Sequence, residues 1–281
     1  MKGLAVITGA DGGMGRVVTL ALAEAGYPVV MACRDPRQAL ALSEEIKAKS
    51  GNPAIEVRGI DLSSLASVNR FAAQMRADGR PVARLINNAG VLSTGFQQTE
   101  DGLESTVSVN YAAPYVLTRS LLPLMQPESR IVNTVSCTWA IGKIESRFFT
   151  HGRNGRFLRI PIYGNTKRAL FLFTLELARR YRHESILANA ADPGIVNTRM
   201  ITMQQWFDPL TDIFFRPFIR TPEQGAATAV HLALSEEAAG ASGQLFASCK
   251  PKRTSRPEQL AAEAEALWEE TERITGRFIL R

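Results

Sequence analysis

Short apolar runs alternate along this chain with longer stretches in which apolar residues return every three to four positions, the two periods of strand and helix. Leu4 to Thr8 reads as a strand. Gly15 to Gly26 reads as a helix that buries Val17, Val18, Leu20, Ala21, Leu22 and Ala25, with Gly26 ending it. Further strands are expected over Tyr27 to Ala32, Ala54 to Ile60, Arg84 to Asn87, Arg130 to Ser136, Ser185 to Ala191 and Gly243 to Ala247. Helices are expected over Arg37 to Lys49, Val68 to Asp78, Leu103 to Met125, Tyr163 to His183 and Glu223 to Ser235. Asp61 to Ser64 forms a polar cap. Pro114 interrupts the Leu103 to Met125 pattern, so that helix should kink or start anew there. Pro257 to Arg281 closes the chain with a helix, about 257–275, whose Leu260, Ala264, Leu267, Trp268 and Ile274 pack on the body.

One helix between successive strands is the pattern of βαβ units. The expected class is therefore α/β: a doubly wound, mostly parallel sheet with helices on both faces. No internal repeat, low-complexity tract or linker divides the chain, which predicts a single domain over 1–281.

Composition narrows this picture only a little. With 281 residues, 45% hydrophobic and 21% charged, the chain can build a sizeable core without staples. Cys33, Cys137 and Cys249 have no metal or redox spacing and read as small core residues in a reducing compartment. His151, His183 and His231 show no metal spacing either, and no metal site is expected. The net charge of +6 would suit nucleic acid, a membrane surface or a phosphate-bearing ligand. The arginines are spread rather than gathered in one run, and no nucleic-acid module is visible, so nucleic acid is not an expected partner. The start runs straight into an apolar strand without signal-peptide architecture, and no run of about 20 apolar residues follows. A soluble cytoplasmic protein with no transmembrane segment is expected.

The chemistry begins after the first strand, at Thr8-Gly9-Ala10-Asp11-Gly12-Gly13-Met14-Gly15. Glycines at a strand-to-helix turn let the backbone approach a pyrophosphate whose charge meets the helix N-terminus. The context on both sides is that of nucleotide binding. The end of the second strand selects the nucleotide. An acidic residue there would bond a ribose 2′-hydroxyl and repel a 2′-phosphate. This chain has Cys33 and Arg34 instead, with Arg16 and Arg37 in the neighbourhood. A guanidinium suits a phosphate, so NADP(H) is expected over NAD(H). Further on, Tyr163-Gly-Asn-Thr-Lys167 places a phenol and an ammonium four residues apart on one helix face. The cation favours the phenolate and should draw the phenol down from its usual pKa of about 10 toward that of a proton shuttle.

Assembled in order, these residues resemble the classical short-chain dehydrogenase/reductase family over roughly residues 3–247, and with it a single-domain Rossmann fold. The family's glycine turn matches at Thr8 to Gly15, with Gly9, Asp11, Gly13, Met14 and Gly15 as cofactor residues beside Arg34. Asp61 and Leu62 match the pair that flanks adenine. Asn87-Asn88-Ala89-Gly90 matches the strand-four signature, and Pro193-Gly194-Ile-Val196-Asn-Thr198 the segment that holds the nicotinamide carboxamide. Asn110, Ser136, Tyr163 and Lys167 match the catalytic tetrad, the last two also touching cofactor. Ala32-Cys-Arg34, Arg130-Ile-Val-Asn133, Ile141-Gly-Lys-Ile144 and Leu267-Trp268 resemble the retinol-dehydrogenase-like branch.

The resemblance implies hydride transfer between a nicotinamide and a carbonyl or alcohol. Tyr163 would be the general acid/base, Lys167 would lower its pKa, and Ser136 would hold the substrate oxygen. Asn110 would hold Lys167 through its side chain or a water. It also implies a homo-oligomer, dimer or tetramer, paired through the helices corresponding to 103–126 and 163–182.

Three departures stand out. Cys137 follows Ser136 where a small hydroxyl or apolar residue is common. An insert over about 143–160 lengthens the path from Ser136 to Tyr163. The membrane anchor of many retinol dehydrogenases has no counterpart at the start, which weakens a retinoid assignment.

Substrate choice falls to two segments. In the insert, Lys143, Arg147, Arg153, Arg156 and Arg159 outnumber Glu145. They read first as a solvated loop and second as partners for a substrate carboxylate or phosphate. Phe148, Phe149 and Phe157 read as residues that pin that loop down. The lid, about 199–220, carries Met200, Trp206, Phe207, Phe214, Phe215 and Phe218 and reads as a greasy pocket wall for a lipophilic carbonyl or alcohol. Core or oligomer contact comes next, then membrane docking aided by Arg216 and Arg220. Two rival readings remain. One is a non-catalytic NADP(H)-binding sensor or scaffold, against which the retained Tyr163 and Lys167 argue; the other is a NAD-dependent dehydrogenase running toward oxidation.

Overall fold

The strands are set by β-branched and aliphatic runs and the helices by their caps. The computed structural model describes residues 2–150, 157–196 and 220–280. In chain order the principal elements are β1 (Leu4–Thr8), α1 (Gly13–Glu24), β2 (Val29–Cys33), α2 (Pro36–Ser50), β3 (Ile55–Gly59), α3 (Leu65–Asp78) and β4 (Val82–Asn87). Then come α4 (Ser105–Val107), α5 (Ala113–Leu121), β5 (Met125–Thr134), α6 (Arg159–Arg180), β6 (Leu187–Asp192), α7 (Pro222–Leu234), β7 (Leu245–Ala247), β8 (Lys250–Lys252) and α8 (Pro257–Thr275). Asp35 caps α2 by accepting from the amides of Arg37 and Gln38, and Ser64 caps α3 at Ser67. Thr221 and Gln224 form a capping box on α7. Gly51 and Gly79 end α2 and α3 in the left-handed region that glycine tolerates.

The eight strands form one sheet in the order β3-β2-β1-β4-β5-β6-β7-β8. All pairs are parallel except the last, where β8 returns as a hairpin partner of β7. This is the single-domain Rossmann α/β fold. The pleat sends Leu4 and Val6 of β1 to one face, with α3, α5, α6 and α8, and Ala5 and Ile7 to the other, with α1, α2 and α7. All five β1 residues are buried, as a parallel strand covered on both sides requires.

Several boundaries differ from the sequence reading for identifiable reasons. Strand β5 begins at Met125, five residues early, through a segment that contains Glu128 at φ +68°. It ends at Thr134, so Ser136 lies beyond it and caps a 3₁₀ turn over Cys137–Ile141. Helix α6 starts at Arg159, four residues before Tyr163, with Pro161 in the first turn where proline is tolerated. The hairpin strand β8 carries no hydrophobic pattern (Lys250, Pro251, Lys252) and gives no signal in the sequence. Pro114 does restart a helix: it stands in the first turn of α5, directly after a π turn over Ser108–Ala112.

Only Cys33 of the three cysteines is a core residue; Cys137 is exposed and Cys249 sits half-buried in the β7–β8 turn. Helix α8 lies across α5 and α6. Its Leu260, Ala264, Leu267 and Trp268 are buried, and ion pairs Arg119–Glu272 (2.7 Å) and Arg168–Glu263 (2.5 Å) hold it in place. Helix α8 thus packs on α6 and sets Trp268 and Glu272 against Tyr115 and Arg119 of α5.

Candidate active site

β1 lies between β2 and β4, so the strand order reverses there and a crevice opens beyond the C-terminal ends of β1 and β4. The glycine turn fills that crevice. Gly9 has φ +62°, and a Cβ on it would stand 3.1 Å from the backbone of Ala89. A Cβ on Gly15 would fall on the carbonyl oxygen of Gly9. Gly12, the residue before α1, offers no side chain to cap the helix, and no acidic residue stands in the first turn. The first-turn amides thus have no side-chain acceptor and face the crevice with the helix dipole behind them, which fits a pyrophosphate.

Thr8 and Asn88 brace this turn. The amides of Asn88 and Ala89 both donate to Thr8 Oγ1 at 3.1 Å, and Asn88 Nδ2 donates to the carbonyls of Thr8 and Gly9. Asp61 Oδ1 accepts from the amide and hydroxyl of Ser63, and the Leu62 carbonyl accepts from Ser108 Oγ at 3.1 Å. Burial and the Asp11 carboxylate beside it push the Cys33 thiol up to about 12, so the end of β2 carries a neutral thiol. Arg34 is exposed and, among the described residues, forms no hydrogen bond or ion pair; Arg16 is engaged with Glu45 at 3.2 Å.

The tetrad residues come from three different places in the fold. Asn110 lies in the π turn before α5, Ser136 just past β5, and Tyr163 and Lys167 on α6. The Ser136 hydroxyl, which accepts from the Thr138 amide at 3.4 Å, lies near enough to the Tyr163 phenol to favour its ionised form. Lys167 Nζ lies 5.5 Å from the centre of the Tyr163 ring and donates to the Thr134 carbonyl at 2.8 Å. The Asn110 side chain goes elsewhere than expected. Its Oδ1 accepts from the Val91 amide at 2.7 Å, and its Nδ2 donates to the Val91 carbonyl and to Thr166 Oγ1. It therefore holds the loop after β4 rather than Lys167.

Residues 3–206 match the short chain dehydrogenase family. The chain belongs to that family. Retinol dehydrogenase 12 of Mus musculus is 36% identical over 94% of this chain and 83% of that relative. A crystal structure of an uncharacterized protein from Mycobacterium paratuberculosis superposes with TM-score 0.79 and 30% identity, covering 98% and 94% of the two chains. A blue fluorescent protein from a metagenomic library, solved with NADPH, superposes with TM-score 0.70 and 26% identity over 87% and 95%. This short-chain dehydrogenase is of the retinol-dehydrogenase-like kind, an oxidoreductase acting on CH–OH groups.

The electrostatics of the dehydrogenase site differ from the simple pairing of cation and phenol. Burial pushes the Tyr163 phenol up to about 12, against a lowering by the Ser136 hydroxyl. Burial brings Lys167 down to about 8. Desolvation thus outweighs the mutual attraction expected from the spacing alone, because a crevice wall of protein replaces water around both groups.

Around the mouth, Pro193 and Gly194 follow β6. Gly194 has φ +73°, and a Cβ on it would stand 3.0 Å from Arg220 Nε. Arg220 donates to the Pro193 carbonyl and to Ser248 Oγ, so it clasps this segment. Val196 and Met14 pack against Gly225 at the start of α7. In the insert, Arg159 donates to the carbonyls of Ser93 and Leu92 and so ties the start of α6 to the loop after β4. Phe148 and Phe149 are buried against Tyr111, as pinning residues should be. Thr198, His151, Arg153, Arg156 and residues 199–219 of the expected lid lie outside the described residues. No helix among the described residues is long and apolar enough to cross a membrane. Sequence reasoning missed the Thr134 carbonyl, Thr166 and the clasp that Arg220 makes on Pro193; a backbone acceptor at a strand end leaves no mark in a sequence.

Proposed function

We propose that the chain is an NADP(H)-dependent oxidoreductase that interconverts a lipophilic carbonyl and its alcohol, with Tyr163 as general acid/base. The observation that carries this reading is the cluster at the end of β5 and on α6: a phenol beside the buried Ser136 hydroxyl, with a buried ammonium 5.5 Å from its ring. The bound nicotinamide would supply the hydride. Gly9, Gly15 and the first turn of α1 would cradle the pyrophosphate, and Arg34 would meet a 2′-phosphate. Arg34 has no competing partner among the described residues and no acid replaces it at the end of β2, which supports NADP(H) over NAD(H). The NADPH complex of the metagenomic relative agrees with that preference.

In reduction, the Ser136 hydroxyl and the Tyr163 phenol would both hold the substrate oxygen. Tyr163 would give up its proton as negative charge develops there, and Ser136 would stabilise that charge. Lys167, protonated at neutral pH, would stabilise the phenolate left behind. Its ammonium reaches the Thr134 carbonyl, and a water rather than the Asn110 side chain would connect it to solvent. A lipophilic substrate is favoured by the apolar make-up of residues 199–220 and by the retinol named for the mouse relative.

The test is NADPH oxidation across aldehydes and ketones graded from short-chain to retinal-sized, with wild type and Tyr163→Phe. Tyr163→Phe should lose turnover by several orders of magnitude and keep NADPH affinity. Near-normal turnover in that variant would sink the assignment. Binding of NADPH by wild type with no turnover on any carbonyl would favour a sensor.

A further inference from the structure

The three residues between Tyr163 and Lys167 hold the other candidate catalytic groups in place, each by a different contact. Gly164 crosses the 3₁₀ turn that follows Ser136. A Cβ on it would stand 3.0 Å from the Thr138 carbonyl oxygen. The facing residue is also glycine. A Cβ on Gly142 would overlap the Gly164 carbonyl and stand 2.8 Å from Cβ of Arg168. Neither glycine has a positive φ, so close approach of two backbones, not turn conformation, explains them. Asn165 Oδ1 accepts from the Lys143 amide at 2.7 Å, a second clasp between α6 and the same segment. Thr166 Oγ1 donates to the Tyr163 carbonyl at 2.8 Å and accepts from Asn110 Nδ2 at 3.1 Å.

We infer that Gly142, Gly164, Asn165 and Thr166 are positioning residues for the reaction. The Gly142–Gly164 crossing and the Asn165 clasp set the distance from Ser136 to Tyr163, and Thr166 sets Asn110 and the Val91 loop against the same helix turn. The inference rests on the proposed catalytic role of Tyr163 and Ser136. Its physical basis is that Ser136 belongs to a segment beyond the sheet, with no ladder hydrogen bonds of its own to fix it. The backbone crossing replaces them. A methyl group at Gly142 must push that segment away from α6, and displacements of about 1 Å at reacting groups cost about 10²-fold in rate.

The experiment measures NADPH oxidation with the best carbonyl of the panel above, together with NADPH binding by fluorescence and thermal melting. Gly142→Ala is expected to lower kcat at least 10-fold while the carbonyl KM and NADPH Kd stay within about twofold. Gly164→Ala, with the milder contact, should lower kcat less. Thr166→Val should lower kcat, and Thr166→Ser, which keeps the hydroxyl, should restore it. In a Ser136→Ala background Gly142→Ala should have much less effect, because the distance it disturbs no longer matters. Wild-type kcat in Gly142→Ala, or a loss fully additive with Ser136→Ala, overturns the inference. If Gly142→Ala does not fold, the Gly164→Ala result and the Thr166→Val and Thr166→Ser pair decide in the same way. The two levels fail separately. Turnover retained by Tyr163→Phe defeats the catalytic reading; an inactive Tyr163→Phe beside fully active spacer variants defeats only this one.

Discussion

Single residues set the chemistry here through burial and close approach. Gly15 is the clearest case of a side chain that cannot exist: any Cβ there meets the Gly9 carbonyl. Gly15→Ala should abolish measurable NADPH binding in a fluorescence titration while the protein still melts cooperatively. Lys167 is a case of burial tuning a charge, its pKa brought down to about 8. The phenol of Tyr163 keeps its proton until about 12, so an alkaline limb near pH 8 belongs to the lysine. Under the proposed mechanism kcat/KM in the reductive direction should fall as pH rises through about 8, since the cation proposed to stabilise the phenolate is lost. In Lys167→Arg that limb should move to higher pH, because a guanidinium stays charged there. A limb unmoved by this substitution would reassign it. The Tyr163–Lys167 spacing was visible in the sequence, but the sign of the pKa shifts was not, because desolvation depends on what surrounds the pair.

At the level of elements, α8 and the π turn matter most. Trp268 of α8 packs edge-on against Tyr115 at 5.1 Å and carries the guanidiniums of Arg119 and Arg180 at 4.8 and 4.7 Å from its ring. Trp268→Ala should destabilise the fold by about 3–5 kcal/mol in urea melts, through lost burial and the cavity left behind. A cost below about 1 kcal/mol would mean that α8 docks loosely. Periodicity showed α8 as an apolar-faced helix but not its seat on α5 and α6, since a helix face does not name its partner. The π turn before α5 was half legible. Pro114 signalled a break in the helix, and the geometry that turns Asn110 toward Val91 and Thr166 follows from packing.

Over the whole molecule, titration of buried groups links stability to pH. Lys167 has a folded pKa below its unfolded value of 10.5, so the stability tied to it is present above that value and is lost as pH falls toward about 8. Cys33 and Tyr163 are raised from 9.0 and 10.0 to about 12, so their contribution is present below the unfolded values and is lost as pH rises toward about 12. Urea denaturation should therefore show stability falling between about pH 10 and 12, and Cys33→Ala should remove part of that fall. An unchanged slope in Cys33→Ala would locate the alkaline loss elsewhere. The alternation of strand and helix, the glycine turn and the order of the tetrad are local patterns, and the sequence alone determined fold class, crevice and candidate residues from them. The tertiary structure decided what is non-local. Arg159 and Arg220 bond loop carbonyls, α8 sets Trp268 and Glu272 against α5, and Gly142 and Gly164 bring two backbones into close approach beside the Ser136 turn. Such contacts join residues far apart in the chain, and only the packing of whole elements chooses which of many possible partners each one meets.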